Sequence, residues 1–476
     1  MKFSAKFAIN TLIFAALNVT AFANSNAIFI NDIHFNPFTA CGTQVPCRMI
    51  DELLSSPASQ WDALLKNRSE PFSTYGQDPN YKLMSSSLNA VKQVVNDQHA
   101  QFTLYLGDFL GHHYDGDKGS NVTHKGFYYY VSPPNQTPAE YKTFVKKSMA
   151  VIIHDIRAAA GDHVPVYFLL GNNDSDRGDN VFPSQEYLQN TATDFNLTSS
   201  QTQTFLTGGY YLQPIDKNNE VIMLNSNVFS PSAQLPDNKP PVSIAQNQMR
   251  WLSDQLANAK KENLSVWIAM HIPPGIDTFN TDHEGPGTKN PPVPEWLPEY
   301  NEQFRQLILQ YSSIIRGIFA AHMHKDAFRM INDNDGKAIN YISINPAISP
   351  NYGNNAAFKD YSYDNSFNPT NYSVYYADLS TPNRDQLNWQ LEYSFDDAYH
   401  QPASSTLLSG YRTIANDPSL KSGNFQKLYY QFYAVNYRGF NGRWLPYYYC
   451  AIKTIDSKSY IECENKSQPT LNTQSG

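Results

Sequence analysis

Short apolar runs and longer amphipathic stretches alternate along the chain to about residue 350. Asn26–Ile30, Phe102–Leu106, Val166–Leu170, Val266–Met270 and Ile314–Ala320 are rich in β-branched and aromatic residues, the last being broken by Arg316-Gly317. Runs of this length and composition predict buried strands. Lys82–Asn96, Ala139–Ala160, Ala245–Glu262 and Glu299–Ser312 predict helices between them, so the fold class is α/β. The connections Asp115–Pro138, Ser230–Pro241 and Pro273–Pro298 are long and rich in Pro, Gly and Asn, as loops that shape access to a site are. Residues 350 to 382, rich in Asn, Tyr and Ser, are expected to wrap the surface. Leu387–Phe395 predicts one more strand, and the stretch from there to about Tyr437 reads mostly helical. The expected organisation is a leader over 1–23, a main domain over 24–382 and a smaller C-terminal region over 383–476.

Each strand-like run leads into a polar motif. In order these are Asp32-Ile33-His34, Gly107-Asp108, Gly171-Asn172-Asn173-Asp174, His271 and His322-Met323-His324. Open α/β sheets place ligands just past the carboxyl ends of their strands. Asp32 and His34, at alternate positions, are expected to leave a strand end on one side and grip one ion, and His322 and His324 to repeat that arrangement. Carboxylate, imidazole and amide oxygen without thiolate suit Zn, Mn or Fe, with Zn the first expectation. A carboxylate such as Asp108 can bridge two metals about 3.5–4 Å apart, which would yield hydroxide near neutral pH. Taken singly, an Asp-x-His pair, a Gly-Asp turn or an Asn-Asn-Asp loop is ordinary decoration. All of them in order behind apolar runs are expected to form a two-metal site suited to phosphoester hydrolysis.

The formal charge of −8 argues against broad electrostatic binding of nucleic acid or anionic membrane. The 32 tyrosines read as polar-tipped packing. Lys2 and Lys6, the apolar Phe7–Leu17 and Ala21-Phe22-Ala23 fit a secretory signal cleaved to begin near Asn24. That run is well short of the roughly 20 residues of a membrane span, so no transmembrane anchor is expected. The destination would be secreted or periplasmic. In an exported protein, proximity favours Cys41–Cys47 and Cys450–Cys463 among three connectivities. No C-x-x-C occurs, so a cysteine metal site is not expected. Asn121-Val122-Thr123 would be glycosylated only on a eukaryotic secretory route.

The motifs resemble those of the calcineurin-like metallophosphoesterases, and more narrowly of the acid sphingomyelinase-like phosphodiesterases. The resemblance covers nearly the whole mature chain. It includes Gly107-Asp108-Phe109-Leu110-Gly111-His112, Leu224-Asn225-Ser226-Asn227, His271-Ile272-Pro273-Pro274-Gly275 and Gly317 to His324. It extends through Asn345-Pro346-Ala347-Ile348-Ser349-Pro350 and Cys450 to Cys463. It implies a two-sheet αββα sandwich with a mostly helical C-terminal region. It implies that Asp32, His34, Asp108 and His324 bind one metal, that Asp108, Asn172, His271 and His322 bind the other, and that Asp108 bridges. His112 would protonate the leaving group, with His113 as the competing choice.

Two departures bear on the substrate. The family usually has Gly-Asn-His-Asp or Gly-Asn-His-Glu, with the His on the phosphate. Here Asn173 stands in that place, able to hydrogen-bond a phosphate oxygen but not to act as an acid. Endopolyphosphatases share Gly-Asn-Asn-Asp. Only Asn24 to Asn31 separate the expected cleavage site from Asp32, leaving no room for the saposin-like domain of sphingomyelinase proper. The expectation is therefore a phosphodiesterase working through a metal-bridging hydroxide on small nucleotide or phosphocholine-type phosphoesters, with at most transient membrane contact. Endopolyphosphatase, sphingomyelin phosphodiesterase and a non-catalytic metal-binding protein are the alternatives. Asn225 and Asn227 read as loop formers, and His99, His154, His163 and His400 as ordinary histidines.

Overall fold

The computed structural model describes residues 25–66, 70–117, 123–282, 291–380, 386–402, 404–437 and 445–467. The expected leader and Asn121 lie outside these residues.

Two six-stranded sheets form the core. The first runs β12 (Trp389–Ser394), β11 (Pro369–Ala377), β10 (Ala356–Tyr363), β1 (Ser25–Ile30), β2 (Phe102–Tyr105) and β3 (Val166–Phe168). The second runs β4 (Tyr211–Pro214), β5 (Asn219–Met223), β6 (Ser265–Ala269), β7 (Ile315–Ala320), β9 (Ala338–Ile344) and β8 (Ala327–Asn332). Rings from the two inner faces interlock. Phe29 on β1 lies 4.7 Å from Phe319 on β7, and Phe102 on β2 lies 5.8 Å from Trp267 on β6. This is the expected layered α/β sandwich.

Helices cover the outer faces, and local signals set their ends. Asn80 accepts from Leu83 N at the start of Tyr81–Asp97. Thr137 accepts from Glu140 N before Pro138–Ala160, whose proline needs no N–H partner. Val242–Glu262 stops at Asn263 in the left-handed region. Pro298–Tyr311 completes the expected set. Among the described residues, no helix is long and apolar enough to cross a membrane.

Residues 350 to 382 do not wrap the surface. They contain β10 and β11, and β10 lies inside the first sheet, antiparallel to both β1 and β11. Polar residues misled the reading because they are buried in partnership. Lys359 on β10 is fully buried, 2.7 Å from Asp326, with its ammonium over the Tyr372 ring at 4.1 Å. The region from residue 383 onward contributes β12 to the same sheet and then helices, including Leu407–Asn416 and Asn424–Tyr433. Both disulfides, Cys41–Cys47 and Cys450–Cys463, are formed.

Strand direction positions the site. β1, β2 and β3 run parallel, as do β6, β7 and β9. Their carboxyl-terminal loops carry the polar motifs and meet at one end of the sandwich.

Candidate metal centre

The ligand-type side chains do not leave regular strands on one side, as alternation suggested. They follow the strand ends, in loops whose backbone turns sharply. Asp32, His34, Asp108, His322 and His324 all have positive φ, between 46° and 70°. Residues with a Cβ rarely take that conformation, and its clustering at a site marks strain held by the surroundings. Here the holding contacts are explicit. Asp32 N and His34 N donate to the carbonyls of Gly107 and Asp108 at 3.0 Å each. Tyr105 OH accepts from Ile33 N and donates to Asp108 O, tying the loops after β1 and β2 together.

Asp174 clamps the loops after β2 and β3. Its carboxylate accepts from the backbone N–H groups of Asp108, Phe109, Leu110 and Gly171 at 2.7–3.2 Å. Burial and the charge of Asp108 push its carboxyl up to about 7, against those donors. The loops pass so closely that side chains are excluded at two glycines. A Cβ on Gly171 would lie 2.0 Å from Asp108 Oδ1, and one on Gly107, at φ +91°, 2.5 Å from Gly171 N.

Asp108 is the hub. Its Oδ2 lies 3.3 Å from His34 Nε2 and 3.1 Å from His271 Nε2. Asp32 Oδ1 stands 3.7–3.9 Å from the Nε2 atoms of His34, His271 and His324. Three sets, Asp32/His34/Asp108, Asp108/His271/His322 and His34/His112/His324, bring ligand atoms within 4.8 Å of one another. Asn172 Oδ1 joins the second at 3.1 Å from His271 Nε2. All the ligand-type residues named from the sequence therefore converge.

The donor chemistry fits cations between these groups. His34 Nδ1 pairs with the carbonyl of Leu110 at 3.0 Å and His271 Nδ1 with that of Leu106 at 2.7 Å. Carbonyls only accept, so each Nδ1 carries hydrogen and a neutral ring turns its Nε2 lone pair inward. Those lone pairs face carboxylate and amide oxygens, an arrangement of acceptors that needs positive charge. Burial disfavours charged imidazole, yet Asp108 and Asp32 overcome it and raise His34 to about 10 and His271 to about 9. Burial likewise opposes the Asp108 carboxylate, but His271 and His34 hold it well below its usual range. Asp32 Oδ1 and His324 Nδ1 are buried with no hydrogen-bond partner. Divalent cations would satisfy Asp32 Oδ1 and the inward Nε2 atoms together.

Asn173 turns inward. Its N–H and Nδ2 donate to Asp108 Oδ1 and Oδ2 at 2.9 and 2.8 Å, so its amide steadies the hub carboxylate. His112 stacks on His34 at 4.0 Å and places Nε2 3.2 Å from Tyr352 OH. Both line a cavity of about 660 Å³, as do His113, Asn172, His322 and His324. A larger cleft of about 1080 Å³ lies elsewhere, lined by His154, Tyr167, Tyr211 and Trp251, and holds none of these groups. Asn225 is structural as read, its Nδ2 donating to Gly208 O.

Several residues of the site escaped the sequence reading. Glu295 is buried 3.7 Å from His322 Nε2, and burial with Asp277 pushes it up to about 8. Asp78 bonds His112. Phe279, Tyr352, Tyr433, Tyr437 and Tyr448 form an aromatic wall. None sits in a motif. The only local signal was Asp78, two residues before the Asn80 helix cap.

The family model described as calcineurin-like phosphoesterase matches residues 26–326, and that for the acid sphingomyelin phosphodiesterase C-terminal region matches 338–470. The cyclic GMP-AMP phosphodiesterase SMPDL3A of Rattus norvegicus is 25% identical over 463 residues, covering 91% of this chain and 90% of its own. The acid sphingomyelinase-like phosphodiesterase 3b of Mus musculus is 24% identical, covering 91% and 88%. The sphingomyelinase phosphodiesterase D of Dictyostelium discoideum is 27% identical, covering 69% and 67%. A solved dimetal phosphatase from Danio rerio gives a TM-score of 0.41 at 11% identity, covering 77% of this chain and 98% of its own. With the first family model spanning most of the chain and the ligand-type residues gathered at one end of the sandwich, the chain belongs to the calcineurin-like phosphoesterases and is a metal-dependent phosphoric ester hydrolase.

Proposed function

We propose a secreted or periplasmic two-metal phosphodiesterase acting on small nucleotide or phosphocholine-type phosphoesters. The observation that carries this reading is the convergence of carboxylate, imidazole and amide groups around Asp108 on the floor of an aromatic-walled cavity. Asp32, His34, Asp108 and His324 hold one metal, and Asp108, Asn172, His271 and His322 the other, with Zn favoured. When bound, the metals supply positive charge for the phosphoryl oxygens and lower the pKa of water. The protein groups do the rest. Asn173 steadies Asp108, and His112 delivers a proton to the leaving oxygen. Phe279 and Tyr352, 60% and 44% exposed, offer ring faces to a base or to a choline cation. Residues 24–382 carry the chemistry, and the region from 383 lends Tyr433, Tyr437 and Tyr448 to the wall. The disulfides support an oxidising destination. Polyphosphate is the second reading, favoured by Asn173 in place of the family's usual histidine.

The test is turnover by mature protein loaded with Zn or Mn on bis-p-nitrophenyl phosphate, ATP, CDP-choline, sphingomyelin and polyphosphate, beside Asp108→Ala. Turnover on the soluble diesters should fall by about 10³-fold or more in the variant. Metal bound without turnover on any substrate overturns the reading in favour of a binding protein. Cleavage of polyphosphate alone moves the substrate to the second reading.

A further inference from the structure

We propose that Asp78 is the positioning residue that selects His112 over His113 as the proton donor and aims its Nε2 at the leaving group. This rests on the function proposed for the same site. The two histidines are neighbours, and each backbone N–H donates to a carboxylate, His112 N to Asp78 Oδ2 at 2.8 Å and His113 N to Asp179 Oδ2 at 2.9 Å. Their rings differ. His112 Nδ1 meets the second oxygen of the same carboxylate, Asp78 Oδ1, at 2.9 Å. His113 Nδ1 stays 3.7 Å from Asp179 on a side chain that is 54% exposed, stacked on His124. Asp78 thus grips both the backbone and the ring of His112 and fixes its turn and its tautomer.

Asp78 is itself held. Its side chain is 6% exposed, and Ser349 Oγ lies 3.5 Å from Oδ1. Asn36 N donates to the carbonyl of the next residue, Pro79, at 2.8 Å, binding this segment to the loop that carries His34. The fit is close at Gly111, where a Cβ would lie 3.1 Å from Asp78 Oδ2 and 3.2 Å from Asn36 Cβ. With Nδ1 donating to Asp78, Nε2 is the nitrogen left for substrate, and it faces Tyr352 OH at 3.2 Å on the cavity wall.

The proton balance follows. The proton that moves is taken up from solvent at His112 Nε2 before each turnover. The oxygen of a water joins phosphorus, and one of its protons goes to solvent. The bond from phosphorus to the leaving oxygen breaks with its electron pair on that oxygen, which takes the Nε2 proton. His112 remains neutral, its Nδ1–H on Asp78, and solvent restores the proton.

The backbone N–H and Nδ1–H meet different oxygens of Asp78, and in an asparagine held in the same pose one of those two atoms becomes a donor. Asp78→Asn should therefore cost about 10²-fold or more in kcat on thymidylyl-thymidine, whose leaving group is an alkoxide. It should cost less than about tenfold on bis-p-nitrophenyl phosphate, whose leaving group needs little protonation. Adding Asp78→Asn to His112→Ala should cost nothing further on the dinucleotide. Equal loss on both esters, or additive loss in the double variant, overturns the proposal. If Asp78→Asn does not fold, long-range proton–nitrogen spectra of the wild-type ring, assigned by its loss in His112→Ala, decide instead. Hydrogen on Nδ1 supports the proposal, and a neutral ring with hydrogen on Nε2 alone overturns it. If wild-type protein cleaves neither ester, the functional reading fails, and the spectra still decide the role of Asp78.

Discussion

The floor of the cavity, from Asp32 to His324, is made of buried charge, whereas its rim is made of half-exposed rings. On the floor carboxylates and imidazoles face one another, Asp32 Oδ1 and His324 Nδ1 have no hydrogen-bond partner, and the backbone takes conformations that cost energy to keep. On the rim, Phe279 and Tyr352 meet edge to face at 5.9 Å, and Lys325 anchors the Tyr352 loop by donating to the carbonyls of Tyr352 and Gly353. The floor is over-determined and the rim is not. On the function proposed above, the floor would set the reaction and the rim would select what reacts, so perturbing either should leave a different kinetic signature.

Asp174 tests the floor most severely. Asp174→Ala removes the acceptor of four backbone N–H groups beside the hub, and each unpaired buried N–H costs about 1–3 kcal/mol. Loops freed by about 1 Å should lower kcat by about 10²-fold or more. Bound metal and melting temperature should fall together, with Asp174→Asn between the two. Full activity with normal metal content in Asp174→Ala would break the claim that the floor depends on this clamp.

The rim should respond in KM. Phe279→Ala leaves every proposed ligand in place, so kcat should stay within about twofold. Loss of one stacking partner is worth about 1–3 kcal/mol for a base, so KM for a nucleotide diester should rise about tenfold. The rise for CDP-choline reports the base and the choline together, and that for polyphosphate should be absent. A uniform rise across all substrates would mean that the ring shapes the cavity without selecting among them.

The sequence made the floor legible because local rules built it. An apolar run ends, a polar motif follows, and parallel strands bring the motifs to one end. The rim and the supports were not legible, because their meaning lies in distant partners. Asp78 serves His112 from 34 residues away, and Tyr352 reaches it from 240 away. β10 was misread for the same reason. Lys359 and Asp360 look like surface residues until Asp326, on the loop before β8, supplies the partner for Lys359. The backbone turns at Asp32 and His34 also escaped, since alternation describes a strand and these residues lie past its end.

Asp360 provides a contrast with the floor, a buried carboxylate whose charge no neighbouring histidine offsets. It follows Lys359 on β10, its Oδ1 has no hydrogen-bond partner, and Asn26 Nδ2 reaches Oδ2 only at 3.3 Å. Burial pushes its carboxyl from an ordinary 3.8 up to about 7. The folded state therefore holds this proton more tightly than the unfolded chain does. The group is harmless below about pH 4, where both states are protonated. Stability is lost as pH rises from there through about 7, where the folded protein comes to carry a buried charge. Asp360→Asn removes that charge and keeps the shape. Its melting temperature should exceed that of the wild type at pH 8 by about 2 °C or more, and the gain should vanish near pH 4. Activity at pH 6 should not change, because the side chain of Asp360 meets Asn26 on β1 and none of the ligand-type residues. A variant less stable than the wild type at pH 8 would show that Asp360 is satisfied as an anion. The difference between the histidine-lined floor and this strand would then have to be sought in geometry alone.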